Sequence, residues 1–387
     1  MPALATGGAF LSECALPDSV LFPEVPLTVP MMKTSVSPRP RGRVVKPGVL
    51  RERLRFWGPI VLGAALLLYA VWPWLPGTGV ARPRTVVFYG FSILGEAMDG
   101  GVFPAFQKSW REKTGERIEF VSSFGGSGTV TNQILLGVPA EIALLALEPD
   151  ARRIASAGFA RRDGWKALPH GGVVNRTPFV ILVRPGNPKG IRGFADLARP
   201  GIRVVHPDPL TSGGANWAIL AEFGAGERER AGGGREMLLG IWKNVVAQAS
   251  SARAARTQFE NGFGDALVTY EQEAAWDRSR KKLRSDVVYP ASTILSEHTL
   301  VIVDRNVRPD RRALIEAFAN FLWSDEAQRI FVRYGFRSVD DRWNQGQTQF
   351  GTIADPFSVA DFGGWSRAKP EIIEKVWRDD VLPKAHR

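Results

Sequence analysis

Asp208-Pro209-Leu210-Thr211-Ser212-Gly213-Gly214-Ala215-Asn216-Trp217 is the stretch whose reading decides the fold. The run Ile202-Arg203-Val204-Val205 before it predicts a strand. The apolar spacing of Trp217–Phe223 predicts a helix that Gly224 stops. A strand, a Ser-Gly-Gly turn and a helix leave first-turn amides without internal partners, and the helix dipole favours negative charge there. Gly213 and Gly214 let a ligand approach the backbone, and Ser212 adds a hydroxyl. The stretch is therefore an anion seat or, in the blander reading, only a capped helix start.

A second stretch of this kind is Phe120-Val121-Ser122-Ser123-Phe124-Gly125-Gly126-Ser127-Gly128-Thr129, which leads into the helical pattern Val130–Leu136. No lysine follows its last glycine, so it is not a nucleotide-binding phosphate loop. Two Ser/Gly-rich helix starts in one chain favour one shared small anion over two coincidental caps.

With these motifs the chain, from about Thr85 to its C-terminus, resembles the periplasmic sulfate-binding proteins of ABC importers. The resemblance is carried by Gly125-Gly126-Ser127-Gly128, Leu182-Val183-Arg184-Pro185-Gly186-Asn187-Pro188 and Ser212–Trp217. Gly262-Phe263-Gly264-Asp265, Glu271-Gln272-Glu273-Ala274 and Phe362-Gly363-Gly364-Trp365 extend it in the same order. It implies an α/β fold of two lobes, a type II periplasmic binding protein, with two hinge crossings between them. It also implies ligand-binding positions: Gly90 and Ala252 through backbone N–H groups, Ser127 through its hydroxyl, and Ser212, Gly213 and Gly214 through hydroxyl and amides. Where sulfate binders carry a tryptophan whose indole N–H faces the anion, this chain has Tyr270. Where they read Tyr-Asp-Pro-Thr, it reads Tyr89-Gly90-Phe91-Ser92, and Ser92 adds a hydroxyl.

Composition narrows the alternatives. The chain has 387 residues, 44% of them hydrophobic, enough for a large core in two lobes. Its one cysteine, Cys14, lies outside the globular region, so no internal disulfide forms; His170, His206, His298 and His386 are scattered without metal-ligand spacing. No cofactor or metal is expected. The net charge is +11, and up to Arg82 nine Lys/Arg face four Asp/Glu, so +5 of it precedes the globular region. No basic run accompanies a recognition helix, which argues against nucleic acid. A mildly positive surface helps to collect anions.

Along the chain, residues 1–55 read as a disordered cytoplasmic extension, and Met31 or Met32 is an alternative start. Arg51, Arg53 and Arg55 precede an uncharged run at 56–81. Its core, Trp57–Leu75, approaches the ~20 apolar residues that span a bilayer. We read it as an uncleaved transmembrane anchor, with Trp72 and Trp74 at the far interface and the basic flank inside. A signal cleaved after Ala81, with Gly79 and Ala81 as its −3 and −1 residues, is the alternative. Either puts the rest of the chain in the periplasm or on the outer face of the cytoplasmic membrane. Residues 85–176 and 305–387 are expected to build lobe one and residues 177–304 lobe two. Phe179–Val183 and Thr299–Val303 are the expected crossings, and Leu314–Trp323 a helix packing back on lobe one.

The expected function is capture of sulfate by a monomer that hands it to ABC permease subunits. Thiosulfate, molybdate or phosphate are the alternative ligands, and a sensor or scaffold of the same fold is the alternative role. Sulfate offers only acceptors, so a dry site for it needs donors and no inward carboxylate. His206, Asp208 and Ser212 superficially suggest a hydrolase triad. They fall within one strand end and lack the Gly-x-Ser-x-Gly elbow, so no enzyme is expected.

Overall fold

The computed structural model describes residues 47–71 and 83–385. The expectations on Cys14, Met31 and Met32, and those on Trp72, Trp74, Gly79 and Ala81, fall outside these residues. The chain divides into two compact units, Met1–Gly79 and Val80–Arg387. The first contains the helix Pro47–Val71, which begins ahead of the Phe56 boundary read from sequence. Leu62, Leu67 and Tyr69 on it are exposed. Among the described residues no helix is long and apolar enough to cross a membrane.

The second unit is a mixed α/β structure on one long sheet. Eight strands form its main path: β1 (Arg84–Phe91), β2 (Ile118–Gly125), β3 (Ile142–Leu145), β4 (Val173–Val183), β5 (Val204–Pro207), β6 (Val245–Ala249), β7 (Ala266–Tyr270) and β9 (Ser292–Ile302). Their spatial order is β2-β1-β3-β9-β4-β7-β5-β6, with β8 (Asp286–Val288), β10 (Arg337–Ser338) and β11 (Asp355–Phe357) pairing alongside. β1 runs parallel to β2 and β3, and β5 runs parallel to β6 and β7. Parallel strands are covered on both faces, which is why β3, β5 and β7 are continuous apolar or buried runs rather than alternating ones. β4 joins the two halves of the sheet. Its residues Val173–Pro178 pair with β9, and Phe179–Val183 pair with β7.

Aromatic packing closes each half. Phe318, on the helix Arg312–Phe321, meets Phe106 at 5.0 Å and Phe120 at 4.8 Å between ring centres, against the β1–β2 side. Full burial of such a side chain stabilises by roughly 1.5–3 kcal/mol. Trp217 and Trp365 pack edge to face at 4.6 Å, both buried, so they are core aromatics.

One expectation is corrected. Gly224 does not stop its helix, which runs from Gly213 to Glu229. A side chain at Gly224 would collide with the Phe357 ring and lie 2.8 Å from Phe362 Cζ. The glycine is there for close approach of those rings, and a helix tolerates the ~1 kcal/mol it costs relative to alanine.

Candidate oxyanion site

Three helix N-termini meet where the sequence placed its two seats. The first is the helix Ser127–Leu135, which follows β2 through Gly126. The second is Gly213–Glu229, which follows β5 with Ser212 as its N-cap. The third is Ala252–Glu260, which follows β6, with the Ser251 side chain accepting the Ala254 N–H at 3.1 Å. The stretches before them touch directly. Gly128 N–H and Thr129 N–H donate to the Thr211 carbonyl at 3.1 and 3.3 Å. Thr211 Oγ1 donates to the Ser250 carbonyl at 3.0 Å. A Cβ on Gly126 would lie against Thr211 O and 2.5 Å from Ser250 O. Only glycine permits so close an approach of three backbones.

Among the described residues, the backbone N–H groups of Ser127, Gly213, Gly214 and Ala252 have no hydrogen-bond partner. These are the free first-turn donors that helix geometry leaves over. Tyr270, the residue between β7 and the helix Glu271–Ser279, adds a fourth element. It is 1% exposed and its hydroxyl has no partner. That hydroxyl sits at the second seat: a Cβ on Gly214 would lie 2.9 Å from it. Burial, with the carboxylate of Glu273 adding to it, pushes the phenol well above its usual pKa and keeps it a donor.

The remaining expected positions are placed as follows. The Ser127 hydroxyl does not face the seat as a free donor. It donates to Asp150 Oδ2 at 2.7 Å and accepts the Ala146 N–H at 3.1 Å, so what Ser127 offers is its amide. Ser212 is buried and its hydroxyl caps no amide of its own helix. Gly90 lies in β1 between Phe124 of β2 and Leu144 of β3. Its neighbour Phe91 reaches the Tyr270 ring at 6.2 Å. Ser92 Oγ accepts the Arg253 N–H at 3.5 Å.

Charge near the site is paired. Arg253, next to Ala252, donates Nη2 to Glu96 Oε2 at 2.9 Å and Nε to Glu273 Oε1 at 2.8 Å. Desolvation opposes the charge on its guanidinium, and the carboxylates of Glu273 and Glu96 outweigh it and raise the pKa above the usual value. Arg256 is held by Asp277 and Glu260. Asp208 Oδ1 accepts the Leu210 N–H at 2.8 Å in a local turn. His206 is fully buried with Nδ1 2.7 Å from its neighbour's carbonyl oxygen and Nε2 3.5 Å from Glu222, so His206 and Asp208 assemble no triad with Ser212. Among the described residues no group of three or more His, Cys, Asp or Glu is placed to hold a metal ion.

Asp150 is the residue that sequence reading missed. It lies in the first turn of the helix Glu148–Ser156, behind Pro149, where an acidic residue is ordinary. Nothing local marks it as the partner of a serine twenty-three positions earlier.

The pattern of the family described as bacterial extracellular solute-binding protein matches residues 98–337. A sulfate-binding protein of Synechococcus elongatus is 33% identical over 311 residues, 78% of this chain and 88% of that one. A thiosulfate-binding protein of Pseudomonas aeruginosa is 34% identical over 236 residues, covering 59% of this chain and 70% of that one. The solved sulfate-binding protein SubI of Mycobacterium tuberculosis superposes with a TM-score of 0.68 at 30% identity, over 74% of this chain and 99% of that one. On this ground the chain belongs to the bacterial extracellular solute-binding proteins, in the sulfate-binding protein family.

Proposed function

We propose that this chain captures sulfate outside the cytoplasmic membrane and delivers it to the permease of an ABC importer. The observation that carries the reading is the meeting of unpartnered amides at Ser127, Gly213, Gly214 and Ala252 with the orphaned hydroxyl of Tyr270. Such a set supplies neutral donors to an anion that has only acceptors, and helix dipoles spread the charge without a bound cation. No chemistry on the ligand is required; closing of two lobes around it is the working step.

In this reading residues 85–176 and 305–387 form one lobe and residues 177–304 the other, with β4 and β9 as the crossings. The ligand set is Ser127 from the first lobe with Ser212, Gly213, Gly214, Ala252 and Tyr270 from the second; Gly90 contributes through β1. The apolar segment that starts at Phe56, behind Arg51, Arg53 and Arg55, takes the chain to the export machinery. Thiosulfate is the second reading, favoured by the thiosulfate-binding relative and by Tyr270, whose phenol changes the reach of the donor.

Calorimetric titration of the protein with sulfate, thiosulfate, molybdate and phosphate tests the proposal. Sulfate is expected to bind with one-to-one stoichiometry and to compact the protein in small-angle scattering. Absence of binding by every oxyanion removes the capture role and leaves a scaffold.

A further inference from the structure

The C-terminal end of the helix Glu271–Ser279 carries a charge density that the oxyanion site does not use. It continues into Arg280-Lys281-Lys282-Leu283-Arg284, where every residue but Leu283 is cationic and exposed. The turn is built into the fold. The N–H groups of Lys281 and Lys282 donate to the Arg278 and Asp277 carbonyls at 3.0 and 2.9 Å, and Leu283 packs on the core cluster of Phe259 and Leu267. Lys281 stands at φ 55°, a left-handed helix end where glycine or asparagine is the ordinary residue. A helix C-terminus favours cations within its last turn, which accounts for Arg278 and Arg280. It does not account for Lys282 and Arg284, which lie beyond that turn and repel their neighbours.

These residues border a cavity of about 690 Å³ that also touches Arg184, Arg253 and Arg256. Those three less exposed cations are engaged within the protein. Arg184 donates to the carbonyls of Phe259 and Gly264 at 2.8 and 2.7 Å. Arg253 is bound to Glu96 and Glu273, and Arg256 to Glu260 and Asp277. Asp277 also takes Arg280 at 2.7 Å, so both carboxylates bordering the cavity, Glu260 and Asp277, are occupied. Among the described residues Lys281, Lys282 and Arg284 form no ion pair. A small anion entering the cavity therefore finds its buried cations already paired, and the free charge stands on the exposed rim. A row of exposed cations suits a surface of many anions better than one enclosed ion.

We propose that the Arg280–Arg284 turn docks the protein on a bilayer through the phosphate groups of anionic phospholipid headgroups. The occupant rests on the capture reading, which puts the chain outside the cytoplasmic membrane, where headgroup phosphates are the extended anionic surface within reach. Each Lys or Arg near such a surface contributes a factor of about five, and salt screens it. Docking confines the protein to the plane in which a permease lies.

The turn carries its own reporter, because trypsin cleaves after lysine and arginine. Full-length protein is mixed with vesicles of phosphatidylcholine or of phosphatidylglycerol and treated with trypsin. Cleavage after Lys281 and Lys282 is read against cleavage after the exposed Arg161 of the same sample, which cancels attraction of the protease to the lipid. On phosphatidylglycerol at low salt this ratio is expected to fall at least about fivefold below its value on phosphatidylcholine, and high salt is expected to restore it. A double variant, Lys282→Ser with Arg284→Ser, keeps Lys281 as a cleavage site and is expected to lose the protection. An equal ratio on the two lipids overturns the proposal and needs no variant to fold. Protection that the double variant retains also overturns it, since another surface then docks. Equal protection by soluble glycerol phosphate on phosphatidylcholine overturns it in favour of a free-phosphate site. Sulfate titration of the same protein decides the capture reading separately: its failure leaves the cleavage ratio to decide docking.

Discussion

The Tyr270 hydroxyl lies against the backbone of Gly214, close enough that a Cβ on the glycine would come within 2.9 Å of it, and no group among the described residues bonds it. The ring is fixed by Phe179 at 4.6 Å and Phe91 at 6.2 Å, so the hydroxyl has little freedom to find another partner. A buried hydroxyl without a partner costs on the order of 1–3 kcal/mol. Stability is thus given up at the point where a ligand oxygen is expected.

Tyr270→Phe should therefore act in opposite directions on folding and binding. Without ligand the variant is expected to melt at a higher temperature than the wild type, by up to ~1–3 kcal/mol of relieved desolvation. Its affinity for sulfate is expected to drop by about tenfold or more, since 1.4 kcal/mol is a factor of ten. Thermal unfolding with and without sulfate reads both effects. A variant that melts lower and binds equally well would place the hydroxyl in an internal hydrogen bond instead.

Gly126 gives a test of lobe closure. Its φ of −58° and ψ of 136° suit any residue, so alanine there adds no backbone strain. The added methyl would meet Thr211 O and Ser250 O, both backbone atoms, which cannot turn aside as a side chain can. If the two seats close on the anion, Gly126→Ala wedges them apart while each half keeps its own core. Sulfate affinity should fall at least about a hundredfold, roughly 3 kcal/mol. Scattering curves with and without sulfate should coincide. Compaction of the variant at wild-type sulfate concentrations would show that the seats do not need to meet.

Much of this arrangement was legible before the structure. The strands at Val86 and Ile118, the second half of Val173–Val183 and most of the helix read over Leu314–Trp323, found at Arg312–Phe321, follow from apolar period, because packed faces leave that period in the residue order. Both helix starts, at Ser127 and Gly213, were legible because Ser/Gly-rich turns have a local cause. What stayed hidden was non-local. Gly224 reads as a helix stop until the Phe357 and Phe362 rings arrive from the far end of the chain. Ser127 reads as a donor to the ligand until the fold brings Asp150 under it. Spacing along one chain records the period of an element, and it does not record which distant side chain meets a given hydroxyl.

His298 sets a pH dependence of stability that is separate from binding. It is fully buried, with Nδ1 2.6 Å from Asn175 Oδ1 and its ring 4.3 Å from Phe91, and burial holds its pKa down to about 3. The unfolded chain protonates it near the ordinary value of about 6.5 while the folded protein does not, so the unfolded state binds more protons between the two. The contribution is whole above pH 6.5 and is lost as pH falls toward 3, by up to about 1.4 kcal/mol per unit. Buried acids such as Glu273, whose pKa burial raises, work in the other direction, so the wild-type curve is a sum. Denaturant unfolding of wild type and His298→Gln at pH 7.5 and 5 isolates the histidine. The variant is expected to lose less stability on acidification, and an unchanged difference between the two proteins would show that His298 takes up its proton in the folded state.

Discrimination between oxyanions follows from which acceptors the site can offer. Phosphate near neutral pH still carries a proton, which must find an acceptor or leave its donor unpaired in a closed site. Asp208, the nearest acid by sequence, has Oδ1 occupied by the Leu210 N–H and turns into its own loop. Asp150 borders the cavity that touches Ser212 and Gly213, but its Oδ2 accepts the Ser127 hydroxyl. The amides of Gly213, Gly214 and Ala252 can only donate, and the Ser212 hydroxyl can accept only by ceasing to donate to the anion. Tyr270 can accept only by turning its own hydrogen away from the ligand, where no partner for it stands among the described residues. A mismatched buried polar group costs on the order of 1–3 kcal/mol. Sulfate is accordingly expected to bind at least about tenfold more tightly than phosphate at pH 7.5. Parallel titrations measure the ratio. Equal affinities would mean that one of the two acids, Asp150 or Asp208, turns to the ligand, and Asp150→Asn and Asp208→Asn would tell which by restoring the preference for sulfate.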